Sequence, residues 1–201
     1  MWLSRYQSDV LKFHKRMNAH VGNLEAPGFP SHTEADLRGR LVNEEGGETL
    51  RGIRARDPIE TIDGLCDLLY VTLGTTISIG FDTAATLGSP SERTRAIPDL
   101  LFWRADDFER LLLSGTRLVC RAIESRDSFG TGVACLGLAA VTLGTAYAWG
   151  IPLKPFWDEV QRSNMQKIDA GPGLKAIKPV GWSPPDIRGT FADLYDLSRG
   201  I

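Results

Sequence analysis

The pentapeptide VTLGT stands at residues 71–75 and again at 141–145, and the same shift of 70 aligns far more of the chain than these five positions. Laid together without a gap, 31–82 and 101–152 share 16 identities over 52 positions, among them Ala35/Ala105, Arg40/Arg110, Arg56/Arg126, Asp57/Asp127 and Gly80/Gly150. Average residue usage would give roughly three to four. An ungapped register across two helical patterns and the loop between them marks a two-helix unit duplicated in tandem. Apolar residues recur at helical spacing in 4–18, 35–53, 59–79, 105–125, 131–149, 154–168 and 189–198, separated by turn-rich stretches such as TLGSPSERTRAIP. Alternating β-branched runs are scarce, so the expected fold class is all-α. At 201 residues the default is one domain.

The copies differ where the first is acidic. Glu44, Glu45, Glu48, Asp63 and Asp67 align with Ser114, Gly115, Leu118, Val133 and Gly137, so every acid is absent from the second copy. That is the pattern expected if one copy holds a site and the other serves as scaffold. On a helix turning about 100° per residue, Glu44, Glu45 and Glu48 fall within one arc and continue the apolar stripe of Leu37 and Leu41. Asp63 and Asp67 are i,i+4 neighbours, and Asp67 sits inside GLCDLLYVTLG, a run apolar on all sides. An ionised carboxylate there costs several kcal/mol unless a cation compensates it. The nearest basic residues in sequence are Arg38, Arg40 and Arg51, and the second helix has none after Arg56. Converging carboxylates without basic partners imply a divalent cation, Mg²⁺ or Mn²⁺ by the hardness of the oxygen donors. The Gly46–Gly47 pair between the acids leaves room for a nucleotide or another helix at the backbone, or reflects drift.

Other function classes are disfavoured. With 23 basic and 25 acidic residues the net charge is −2, which provides no general field for nucleic acid or an anionic membrane. Cys66, Cys120 and Cys135 are odd in number, lie in apolar stretches and lack CxxC spacing, which fits buried thiols in the cytoplasm. The start, MWLSRYQSDVLKFHK, has no signal-peptide pattern. Residues 128–153 run without a charge for long enough to cross a bilayer. Their many Gly, Ala and Thr, and the aspartates of the matching segment, favour a buried helix. Gly130 and Gly132 lack the third glycine of a dinucleotide loop, and GxxxxGK[ST] is absent. His14, His20 and His32 have no metal spacing and are expected at the surface.

The acids, together with flanking motifs, resemble the MazG-like, all-α NTP pyrophosphatase superfamily, whose signature is EExxE on one helix and ExxD on the next. Glu44-Glu45-x-x-Glu48 supplies the first half. In the second half, DLLYV identifies Asp67 as the family aspartate, the expected glutamate is Gly64, and Asp63 is the substitute, with Glu60 in reserve. FHKRM, EVQRSNMQK and KPVGWSPPDI extend the likeness, which covers 1–82 and 153–190. Residues 83–152 look like an inserted copy of the central helices. The resemblance implies a helical bundle of the MazG-like or dimeric-dUTPase type. In it, 31–82 is the active helix pair, 101–152 its degenerate repeat, and 153–201 the final helix and substrate-binding tail. The duplication either replaces a homodimer contact or leaves the product free to dimerise.

The implied activity is cleavage of a nucleoside triphosphate between its α- and β-phosphates. By the resemblance, Glu45, Glu48, Asp63 and Asp67 hold Mg²⁺, and Glu44 or Glu45 deprotonates or orients water. Arg162, Lys167 and Lys178 face the phosphates, and Asn164 bonds sugar or phosphate. Trp182 closes over a base or pins the tail. A dUTPase-like diphosphatase, or a non-catalytic binding or assembly protein on the same helices, is the alternative.

Overall fold

The computed structural model describes residues 3–82 and 102–195, and among these it contains seven helices and no strand. They are α1 (Leu3–Arg16), α2 (His32–Ala55), α3 (Pro58–Ile79), α4 (Ala105–Glu124), α5 (Ser128–Ala148), α6 (Leu153–Asn164) and α7 (Ile187–Leu194). The turn-rich 86–98 and the last positions of the expected 189–198 helix lie outside the described residues.

Local chemistry sets the hairpins. Ser31 caps α2 by accepting from the Glu34 amide, and Asp57 caps α3 by accepting from Ile59 and Glu60, with Pro58 at the first turn where no amide is needed. Positions 70 residues apart take matching roles. Asp127 caps α5, Arg56 and Arg126 both turn the corner in the left-handed conformation (φ 52° and 58°), and Gly80 and Gly150 do so after α3 and α5.

α3 is the central helix, packed against α1, α2, α5, α6 and α7. Leu65, Leu69 and Leu73 on it are fully buried, with Trp149, Phe156 and Trp157 completing the core. α3 and α5 are each long and apolar enough to span a membrane, but their most apolar stretches are 83% and 56% buried within the protein. Where helices meet, glycines allow close approach. A Cβ at Gly46 would stand 2.6 Å from Thr116 Cγ2, so this glycine admits α4, and it does so at the residue 70 positions further on. A Cβ at Gly64 would stand 2.7 Å from Thr49 Cα.

His14 does not lie at the surface as expected. It is 1% exposed, because Val10, His14 and Met17 form the buried stripe of α1. His20 and His32 are exposed.

Gly64→Ala should therefore lower unfolding stability by about 1–3 kcal/mol, since its new methyl meets backbone. Gly137→Ala, with nothing within 4 Å of the added atom, should raise it by up to about 1 kcal/mol. Urea titration of both variants checks the contrast.

Candidate active site

The hairpin register brings the two acidic sets together. Thr49 of α2 lies against Gly64 of α3, which puts Glu45 and Glu48 alongside Asp63 and Asp67. That contact also leaves no space for a side chain at position 64, where the ExxD glutamate would stand. Glu45 is 8% exposed, Asp63 and Asp67 are half-buried, and Glu44 and Glu48 are exposed at the rim.

Glu44, Glu45, Glu48 and Asp67 line a cleft of about 700 Å³ enclosed by α1, α2, α3, the end of α6 and the loop after it. Asp63 is not part of that lining. Its Oδ1 is buried without a hydrogen-bond partner. Burial, then the charges of Glu60 and Glu48, raise the Asp63 pKa to about 6. Burial raises Glu45 to about 7, with Glu48 and Glu44 adding to the shift against the pull of Lys175. Asp67 is pushed well above the carboxylate range by burial and by Asp63 and Glu45.

The basic partners absent near the acids in sequence arrive from the tail, which corrects the reading that the acids have none. After α6 the chain forms a loop closed by paired backbone bonds between Ile168 and Ile177, both 2.9 Å. Lys175 Nζ bonds Glu44 Oε1 at 2.7 Å, and Arg51 bonds Glu48 at 3.0 Å. Lys167, Lys175 and Lys178 all line the cleft. Lys167 donates to Asn164 Oδ1 at 2.6 Å, and burial lowers its pKa while Asp67 opposes the shift. Lys175 went unnoticed in sequence because only the fold of the Gly171–Gly173 turn carries it to α2.

Arg162 and Trp182 lie outside the cleft lining. Arg162 bonds Glu159, Ser183 Oγ and the Pro184 carbonyl, and the Trp182 indole donates to the Ser163 carbonyl at 3.1 Å. Both fasten the tail to α6. Lys178 sits 4.2 Å from the centre of the Trp182 ring, so this anchor also positions a cleft cation.

Two helical turns from the acids the cleft wall is different. Arg38, 6% exposed, bonds Glu34 Oε1 through Nε and Nη2, both at 2.7 Å, and Ser78 Oγ donates to the same oxygen at 2.8 Å. Beside them, His14 Nδ1 lies 3.0 Å from the His20 carbonyl and so carries the proton. Burial, then Arg38, lower its pKa to about 3 and keep the ring neutral.

The acidic end suits a hard divalent cation in donor chemistry and charge. Its donors are all carboxylate, mutually repelling, and one oxygen is buried without a partner. Among the described residues, no group of three or more His, Cys, Asp or Glu is arranged to hold an ion as it stands. The fit thus rests on the donors and their charge rather than on a finished cage.

Because the folded state raises the pKa values of Glu45 and Asp63 above their ordinary 4.5 and 3.8, it binds their protons more tightly than the unfolded chain. Their stabilising contribution is full below pH ~4 and disappears as pH rises through 6 to 7. Without divalent metal the melting temperature should fall by several degrees between pH 5 and pH 8. Millimolar Mg²⁺ or Mn²⁺ should restore it at pH 8 and do little at pH 5. Thermal scans at both pH values check this.

No curated protein and no solved structure gives a significant match to the chain. A family model described as phosphoribosyl-ATP pyrophosphohydrolase matches residues 10–102, the span that holds the second half of α1 and all of α2 and α3 with Glu44, Glu45, Glu48, Asp63 and Asp67. Over residues 10–102 the chain is similar to this family of nucleotide pyrophosphohydrolases, itself part of the MazG-like, all-α superfamily.

Proposed function

We propose that this chain is a Mg²⁺-dependent nucleoside triphosphate pyrophosphohydrolase, releasing the monophosphate and pyrophosphate. The observation that carries this reading is the meeting, across one cleft, of buried carboxylates with raised pKa values and lysines delivered by the tail loop. Anions and cations lining a single cleft suit a ligand that brings both signs, a polyphosphate with its metal.

Glu45, Glu48, Asp63 and Asp67 would hold the cation, which would supply positive charge to phosphate oxygens and acidify water. The chain's own residues position the rest. Lys167 and Lys178 neutralise phosphate charge from the opposite wall. Asn164, 7% exposed and bonded to Lys167, keeps that ammonium in place. Of the two candidate bases, Glu44 is committed to Lys175, which leaves Glu45, whose burial favours taking a proton. Water attacks the α-phosphorus, the anhydride bond to the β-phosphate breaks, and pyrophosphate leaves while Glu45 receives the water proton. Free Cys66, Cys120 and Cys135 suit a reducing cytoplasm.

The matched family's description favours a second substrate for the same chemistry, phosphoribosyl-ATP. Pyrophosphate release from each (d)NTP and from phosphoribosyl-ATP, with Mg²⁺ or Mn²⁺, separates the two. Glu48→Gln and Asp67→Asn should each lower kcat/KM by about a hundredfold. Asp67→Asn should also keep or raise the metal-free melting temperature, because it removes a repelling charge. Full activity in either variant would sink the proposal.

A further inference from the structure

At the end of the cleft away from the acids, two polar atoms lie side by side without partners. Arg38 uses Nε and Nη2 on Glu34, and Nη1 makes no hydrogen bond. The His14 ring uses Nδ1–H on the His20 carbonyl, and Nε2 makes none. A Cβ built on Gly74 would stand 3.1 Å from Arg38 Nη1 and 3.2 Å from His14 Nε2, so the two atoms are neighbours above the one residue without a side chain. Both residues line the cleft and both are more than nine-tenths buried. Neither atom is among the fully buried unpartnered ones, so both open to the cleft, where one ligand can meet a donor and an acceptor together.

Their surroundings define that ligand's shape. Phe13, Leu37, Leu41, Tyr70 and Val71 line the same cleft, giving apolar walls for a flat ring. Arg38 precedes Glu45 by seven residues on α2, and Gly74 follows Asp67 by seven on α3. Seven residues are about 10 Å of helix, comparable with the separation of a nucleobase edge from its own α-phosphate.

We propose that His14 and Arg38 read the base of the substrate. His14 Nε2 accepts a ring N–H, and Arg38 Nη1 donates to the adjacent carbonyl oxygen. That edge belongs to an oxo base: uracil, thymine, guanine or hypoxanthine. A guanidinium gains more from a carbonyl oxygen than from a ring nitrogen, the usual reason arginine selects guanine O6. Adenine and cytosine have no ring N–H on this edge; with their amino N–H on His14 Nε2, the neighbouring acceptor left for Arg38 is a ring nitrogen. The assignment rests on reading the cleft as a nucleotide site.

The test measures binding and turnover separately on the full chain. Calorimetry in metal-free buffer compares GMP and UMP with AMP and CMP, and pyrophosphate release compares dGTP, dTTP and dUTP with dATP and dCTP. The expected result is a preference of at least about tenfold for the oxo bases in both. In His14→Phe, which keeps the ring and removes both nitrogens, the preference should collapse to within about threefold. An indifferent wild type, a preference for amino bases, or an unchanged ranking in a folded His14→Phe would overturn the proposal. A purely structural His14 would alter the melting temperature and leave the ranking intact. Should that variant not fold, the ranking of the wild type decides. Base-selective binding without pyrophosphate release would overturn the hydrolase reading and leave this one standing. Equal release from every nucleotide would do the reverse.

Discussion

Asp67 sets the terms for the rest of the molecule. It sits on the helix that five others cover, between Cys66 and Leu68, both fully buried, and it faces Asp63 and Glu45 rather than a basic partner on its own hairpin. Packing alone would fill this place with leucine. A native fold that keeps three repelling carboxylates here gives up stability, and such a loss concentrates where a ligand offsets it. The contact of Gly64 with Thr49 fixes the cluster, because the helices meet too closely to rotate the acids apart.

The second hairpin, α4 and α5, explains how the first can tolerate that cost. Two helices alone cannot enclose a core. Here α4 covers α2 and α5 covers α3, with Gly46 meeting Thr116, its own counterpart. Three of the positions equivalent to the acids face outward in the second hairpin: Leu118 is 58% and Val133 49% exposed, and Gly137 has open space around it. The second hairpin contributes packing, and the clustered acids are confined to the first.

Much of this was legible in the sequence. Apolar spacing marks helices over 35–53 and 59–79 and shows the acids on them; α2 begins earlier, at His32, because Ser31 caps it. What depended on tertiary placement was not legible. Lys175 lies 131 residues from Glu44, and no periodicity links them. Arg162 and Trp182 carry ordinary binding side chains, yet the tail they fasten takes up their polar groups. His14 looked like a surface histidine among lysines. Its burial follows from the three- and four-residue spacing to Val10 and Met17, which are buried with it.

The cleft treats charge oppositely at its two ends, and this orients whatever enters. At the acidic end the carboxylates outnumber their local partners and repel one another, which favours a ligand segment that brings positive charge. At the other end every full charge is already answered: Arg38 by Glu34, with Ser78 adding a bond, and His14 by remaining neutral. A phosphate placed there would meet Glu34 as well as Arg38 and gain little. A metal placed there would find its one carboxylate occupied. On the proposed reading, a polyphosphate with its cation would therefore sit at α2 residues 44–48, and the uncharged heterocycle two turns away.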